Sequence, residues 1–148
     1  MSQLNPWMRW NARYAQFLVH LRQNGFRIAD APTSIGWSIV PGEGHRTPQR
    51  QAELYARGRI TKGPIVTNAK PGQSPHNHSL ARDLNVYFCG KAITDGKHPI
   101  WREIYKCASS AGLTTGLHWR NICDPGHVEL PNWRKVLRQW QDKHSDGG

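Results

Sequence analysis

The sequence predicts an α+β fold, a small antiparallel sheet with flanking helices. Segments with helical periodicity alternate with short β-rich runs, and tight turns join the runs, as is typical of hairpins and not of regular βαβ units. With 148 residues the chain fits a single domain, residues 1–148, and seven tryptophans provide apolar area for a core.

Four helices are predicted from capping signals and apolar periodicity. They run from Asn5-Pro6 to the stop at Asn24-Gly25, from Thr47-Pro48 to Gly58, from about Trp101 to Ala108 with a stop near Gly112, and from Trp133 to Trp140. In the first two, the cap residue is followed by proline at the first helical position, where its missing N–H costs nothing.

Strands are predicted where β-formers lie between turn residues. The segments are residues 35–40, 65–67 within a loop over 59–75, 81–88, 92–94 and 128–130. Residues 143–148 are polar and glycine-rich, and we expect them to form a flexible tail.

Composition limits the possible function classes. Cys89, Cys107 and Cys123 are odd in number and lack CxxC spacing, which argues against a disulfide framework and a cysteine zinc site. The net charge of +10 indicates either a role in solubility or a polyanionic partner, which could be nucleic acid or an anionic cell-envelope surface. No stretch has the ~20 apolar residues of a membrane span, and residues 1–10 do not read as a secretory signal, so we expect synthesis in the cytoplasm.

Three segments combine polar, chemistry-bearing residues with rigid turns: residues 44–51, 74–83 and 124–130. A hydrolytic zinc site takes three ligands from His, Asp or Glu and keeps a fourth position for water. His76 and Asp83 could supply two ligands, and His127 could supply a third from a distant strand. The sequence therefore predicts a zinc centre on these three side chains.

Spacing alone leaves alternatives at this centre. His78, His118 and His45 could each replace a proposed ligand. Either Asp124 or Glu129 could serve as the general base that takes a proton from water, because both lie close to His127 in sequence. Arg46, directly before a helix cap, is suited to stabilise an oxyanion.

These segments resemble the M15 peptidases. Residues 74–83 are similar to the metal motif SxHxxGxAxD, residues 124–129 to its acid-x-x-His partner, and residues 44–51 to GxR[ST]xxxQ, in the same order. Ser79 departs from the pattern, which usually has glycine there. So does the segment 116–121, which replaces a more glycine-rich approach to the second motif.

The resemblance implies a Hedgehog/DD-peptidase-like fold with catalytic motifs over 44–130, and a role for each matched residue. Zn²⁺ would bind His76, Asp83 and His127, leaving His78 as a non-ligand. Asp124 would be the general base, and Arg46 would contact the oxyanion or substrate. Ser74 would hydrogen-bond substrate or steady the metal loop, and further substrate contacts would come from Gln51, Trp119 and His118. Glu129 is then expected to orient His127 or a neighbouring group.

The function expected from this resemblance is that of a phage endolysin that hydrolyses the L-Ala–D-Glu bond of the peptidoglycan stem peptide. The enzyme would be a monomer held in the host cytoplasm until a holin opens the route to the periplasmic wall. A D-Ala-D-Ala carboxypeptidase with the same zinc chemistry is the alternative. A non-enzymatic nucleic-acid binder is a third possibility, but the chain has no helix-turn-helix, RNP or zinc-finger pattern, so no specific nucleic acid is expected. Asp124 and Arg46 speak against an inactive metal-binding domain.

Overall fold

The computed structural model describes residues 5–144 and has the predicted α+β architecture. Its elements are α1 (Pro6–Gln23), β1 (Phe26–Ile28), β2 (Trp37–Pro41), α2 (Pro48–Ala56), the 3-10 helix η1 (Pro75–His78), β3 (Ala81–Phe88), β4 (Lys91–Ala92), α3 (Ile100–Ser110), β5 (Thr114–Gly116), β6 (Asp124–Glu129) and α4 (Trp133–His144).

The six strands form one sheet with β3 near its centre, in the order β1-β2-β3-β6-β5, and β4 pairs with β3 alone. All strand pairs are antiparallel except β1 with β2, which is parallel. The sheet is therefore mixed, whereas the sequence predicted an antiparallel one. The first half of β3 pairs with β6, and its second half pairs with β2. The strands that carry the second and third chemical motifs therefore lie side by side.

Helices α1 and α3 pack on each other and against the sheet. Phe17 and Ile104, one from each helix, are completely buried, as are Ile39 of β2 and Val128 of β6. The predicted caps explain where the first two helices begin: the side chain of Asn5 accepts a hydrogen bond from Met8 N at 2.7 Å, and that of Thr47 accepts one from Arg50 N. None of the helices in residues 5–144 has the length and apolar composition needed to cross a membrane.

One prediction of local structure was wrong, and the bounds of two others shift. Residues 65–67 form no strand; Ile65 and Val66 are exposed, and Arg59 instead donates to Thr67 O at 3.0 Å and Asn68 Oδ1 at 3.0 Å. The strand expected at 35–40 begins at Trp37 and includes Pro41. The tail expected at 143–148 overlaps α4, which continues to His144; residues 145–148 lie outside the described part of the chain.

Ser79 ends η1 in the left-handed conformation, with φ 57° and ψ 37°. Glycine adopts this region without the steric cost that a Cβ imposes, which explains why a glycine suits the position. The Ser79 hydroxyl contacts His45 Nδ1 at 2.9 Å, so the side chain has a partner that glycine would lack.

We expect Ser79→Gly to be more stable than Ser79→Ala by about 1–2 kcal/mol. Both variants remove the hydroxyl, so the difference isolates the conformational cost of the Cβ. The free energy of unfolding from denaturant titration measures it. As a control, the glycine and alanine variants of Arg138, which is exposed within α4, should show the opposite order of stability, with alanine favoured by about 1 kcal/mol. Equal stabilities at position 79 would contradict a left-handed Ser79.

Candidate metal centre

The structure brings His76, Asp83 and His127 together at the start of β3. Asp83 and His127 are direct cross-strand partners in the β3–β6 ladder, and His76 reaches them from η1. His76 Nε2 lies 3.1 Å from Asp83 Oδ1 and 3.1 Å from His127 Nδ1. The third separation, from His127 Nδ1 to Asp83 Oδ1, is 3.4 Å.

These separations fit a small tetrahedral cation. Bonds of about 2.0–2.1 Å to a tetrahedral zinc place its ligand atoms about 3.3–3.4 Å apart. The three atoms form a triangle with edges of 3.1 to 3.4 Å, and two imidazole nitrogens with one carboxylate oxygen are a common hydrolytic zinc set. The residues present therefore fit the metal that the sequence predicts.

The other ring nitrogens show why the cluster needs a cation. His76 Nδ1 lies 2.7 Å from Gly44 O, which can only accept, so that nitrogen carries the proton. His127 Nε2 lies 2.7 Å from Glu129 Oε1 and donates to it. In their neutral forms the two histidines therefore face each other with lone pairs, 3.1 Å apart. A metal ion or an additional proton between them removes this repulsion.

The electrostatics of the cluster agree with this. Burial opposes the charged forms, raising the pKa of Asp83 and lowering that of His127. Their mutual hydrogen bond and charges outweigh burial, and His76 and Glu129 add to the effect. The net result holds the pKa of Asp83 well below its usual range and raises the pKa of His127 to about 9.

Four carboxylates line the cavity beside the cluster, and they differ in their partners. Asp83 and Glu129 bind the histidines, and Glu43 forms an ion pair with Arg46 at 3.1 Å. Asp124 has no hydrogen bond or ion pair from its carboxylate within residues 5–144. Burial, with a smaller contribution from Asp83, raises its pKa. Asp124 is the carboxylate that remains available to exchange a proton, whereas Glu129 is committed to His127.

Arg46 connects the cluster to its surroundings. The Nε and Nη2 groups donate to Glu43, Nη2 also donates to Asp83 Oδ2 at 3.4 Å, and Nη1 donates to Gln51 Oε1 at 2.9 Å. One N–H of the guanidinium remains without a protein partner in the described chain, so contact with a substrate oxygen stays a prediction. The arginine also fixes the second oxygen of Asp83.

The substrate contact predicted for Gln51 requires correction. Its side chain is completely buried and does not line the cavity. The amide accepts from Arg46 and donates to Ala69 O at 2.7 Å. Gln51 therefore positions Arg46 and the loop that includes Ala69, and it can act on a substrate only through them.

The cavity beside the cluster has a volume of about 720 Å³, and only some of the remaining residues predicted to contact substrate line it. Trp119 lines it, with its ring 5.0 Å from that of His127 and 42% of its surface exposed. Ser74 lines it too, but its hydroxyl accepts from His76 N at 3.2 Å and caps η1, so it steadies the metal loop. His118 packs edge-on against Tyr105 outside the cavity lining, so its contact with substrate stays a prediction.

The alternative ligands have other partners. His78 Nε2 binds Gly72 O at 2.9 Å, and its ring packs against Trp133. His45 contacts Ser79. Sequence reasoning gave no role to Glu43, although its ion pair holds Arg46, and it did not find the Gly44 carbonyl that fixes the His76 tautomer. A backbone partner leaves no signal in residue type.

Comparison with known proteins identifies the family. A family profile described as D-alanyl-D-alanine carboxypeptidase, of the M15 peptidases, matches residues 67–130. The chain is 35% identical over 122 residues to peptidoglycan L-alanyl-D-glutamate endopeptidase CwlK of Bacillus subtilis (strain 168), which covers 76% of this chain and 72% of that protein. The chain belongs to the M15 peptidase family.

Solved structures support the same fold for this M15 peptidase. The L-Ala D-Glu endopeptidase ChiX of Serratia marcescens has a TM-score of 0.56 at 15% identity, covering 88% of each chain. The LdcB LD-carboxypeptidase has a TM-score of 0.56 at 16% identity, covering 93% of this chain and 74% of the other. The D,D-pentapeptidase VanY, solved with Zn(II), has a TM-score of 0.51 at 16% identity, covering 90% and 77%.

The M15 assignment makes the Glu129–His127 contact testable. We expect Glu129→Gln to lower metal affinity or peptidase activity about 10- to 100-fold, because glutamine keeps an oxygen for His127 Nε2 but removes the negative charge that makes the ring a stronger ligand. Competition with a chromophoric chelator measures the affinity. Glu53→Gln, exposed on α2, is the matched control and should change neither quantity. Unaltered metal affinity and activity in Glu129→Gln would contradict a role for Glu129 in supporting His127 as a ligand.

Proposed function

We propose that this M15 peptidase is a zinc-dependent hydrolase of peptidoglycan stem peptides that cuts the L-Ala–D-Glu bond. The observation that carries the metal chemistry is the pair of histidine lone pairs facing each other beside Asp83, next to a cavity that is open to a peptide. The relative CwlK, an L-alanyl-D-glutamate endopeptidase by name, supports the choice of bond.

Each side chain then has a stated task. When bound, zinc supplies a Lewis acid for the scissile carbonyl and lowers the pKa of a water to about 7. Asp124 accepts a proton from the attacking water and delivers it to the leaving amine, for which its carboxylate has no competing partner in residues 5–144. Arg46 holds Asp83 and offers its remaining N–H to the developing oxyanion.

Mass spectrometry of products from purified peptidoglycan tests the bond. The endopeptidase leaves fragments with a new N-terminal glutamate, whereas a carboxypeptidase releases free D-Ala. The second activity is the alternative, because the matching family profile is described as D-alanyl-D-alanine carboxypeptidase. Free D-Ala as the sole product would overturn the assignment of the bond.

We further propose an endolysin role, in which the protein reaches the wall from the host cytoplasm through a holin-formed opening. The net charge of +10 supports attraction to anionic envelope polymers, and a monomer suffices for the site as built. Purified protein should lyse permeabilised Gram-negative cells and lose this activity on chelation. Full lysis after thorough metal removal would exclude the zinc mechanism.

A further inference from the structure

The charged groups of the cavity suggest how it distinguishes substrates. Besides the four carboxylates, three arginines line the cavity: Arg46, Arg120 and Arg134. An anionic peptide that enters meets a wall rich in carboxylates, so its own carboxylate needs a cation that the protein has not already paired.

Two of the three arginines are already engaged. Arg46 is bonded to Glu43, Gln51 and Asp83. Arg134 donates to Gln73 O at 3.0 Å, and its guanidinium lies 4.9 Å from the Trp133 ring centre. Arg120 is exposed and has no hydrogen bond or ion pair with any residue in 5–144. Arg120 is the guanidinium whose donors are all available to a ligand.

The loop over residues 117–123 places Arg120 in the wall of the cavity that holds the reacting groups. Trp119 N donates to Gly116 O at 3.3 Å, and Cys123 Sγ donates to Leu117 O at 3.3 Å, so the loop is closed on itself. The Trp119 ring rests against His127, and Arg120 is the next residue along the chain. Asp124 follows at the end of the same loop, where β6 begins.

The chemistry of glutamate supplies a matching ligand. Glutamate has two carboxyl groups, one on the main chain and one on the side chain. The stem peptide continues through only one of them, so the other remains a free anion. In an L-Ala–D-Glu substrate this carboxylate belongs to the glutamyl residue, whose amine is the leaving group. Asp124 is the residue proposed to protonate that amine, and Arg120 lies on the same chain segment.

We propose that Arg120 forms a carboxylate-binding subsite for the free carboxyl group of the glutamyl residue on the leaving side of the scissile bond. This inference rests on the proposed function. It makes Arg120 a specificity-determining residue: bidentate bonds to a carboxylate are charge-assisted, and a carboxamide at the same place offers one acceptor oxygen and no negative charge.

Two synthetic stem peptides test the subsite, one with the free glutamyl carboxylate and one with a carboxamide there. The wild-type zinc enzyme should prefer the carboxylate by about 10- to 100-fold in kcat/KM. In Arg120→Gln this ratio should fall to about one with zinc content unchanged, and Arg120→Lys should restore part of it. Arg102→Gln, exposed on α3 outside the cavity, is the matched control and should keep the full preference.

The outcomes separate the two proposals. If the wild type cleaves both peptides equally well, the subsite is wrong and the endopeptidase function stands. If Arg120→Gln keeps the preference, or if Arg134→Gln alone removes it, the assignment to Arg120 is overturned. Cleavage of neither peptide, together with release of D-Ala from the wall, would overturn the proposed function and the subsite with it.

Discussion

Replacing His76 with alanine is expected to abolish metal binding and peptidase activity together. His76 Nε2 lies 3.1 Å from each of the other two ligand atoms, so its loss leaves two ligands for a cation that requires three from the protein. The bound metal should be undetectable by elemental analysis of the purified variant, and peptidoglycan hydrolysis should fall to the uncatalysed level.

The same substitution should remove the stabilisation that metal gives the fold. A ligand that binds only the folded state stabilises it by about 2.7 kcal/mol at a concentration 100 times its Kd. The wild type should therefore melt at a higher temperature with zinc than with a chelator, and His76→Ala should melt at one temperature in both.

His78→Ala is the matched control because it removes a histidine of the same motif that lies outside the cluster. It should keep both metal and activity. His76 is buried, so its substitution could also disturb the fold. Removing the metal from the wild type with a chelator tests the same loss of activity without a substitution, and adding zinc back should restore activity. Metal retained by His76→Ala, or lost by His78→Ala, would contradict the proposed ligand set.

Asp124→Asn is the second large expected effect. Asparagine has nearly the same shape but cannot accept the proton, so turnover should fall about 10²- to 10⁴-fold, the usual contribution of a positioned base. Zinc content and substrate KM should change little, because Asp124 is not among the three clustered ligands. Steady-state kinetics on a synthetic stem peptide measures both parameters.

Glu129→Gln distinguishes the two candidate bases when it is assayed in parallel. Glu129 is bonded to His127 at 2.7 Å, and its loss should act mainly through metal affinity, so saturating zinc should restore much of the activity. Zinc should not rescue Asp124→Asn. A fully active Asp124→Asn enzyme would show that another group carries the proton.

Sequence reasoning could predict the features that depend on local rules. The caps at Asn5 and Thr47 and the strand Ala81–Phe88 follow from residue type and periodicity, and they were confirmed. Strands β1 and β5 were missed because each has three residues, too few for an alternation to show. Residues 65–67 were predicted as a strand on apolar character, but no neighbouring strand pairs with them.

The site shows a different limit. Residue type and spacing do not separate His76 from His78, and only the family motif did so. The turn of η1 gives the physical reason, because it directs one ring to the strands and the other to Trp133. Gln51 sits within a motif and was predicted to contact substrate, but burial makes it a support for Arg46. Motif membership indicates that a residue matters to a site without saying whether it faces the ligand.

The pairing of Asp83 with His127 across β3 and β6 also sets when the site comes into being. These residues are far apart along the chain, and joining them requires closing a long loop, whose entropy must be offset by the ladder itself. A nascent chain that ends before β6 holds at most two ligands. Zinc uptake during refolding should therefore report formation of this one strand pair, and the hydrolase should remain inert until its last strand has joined the sheet.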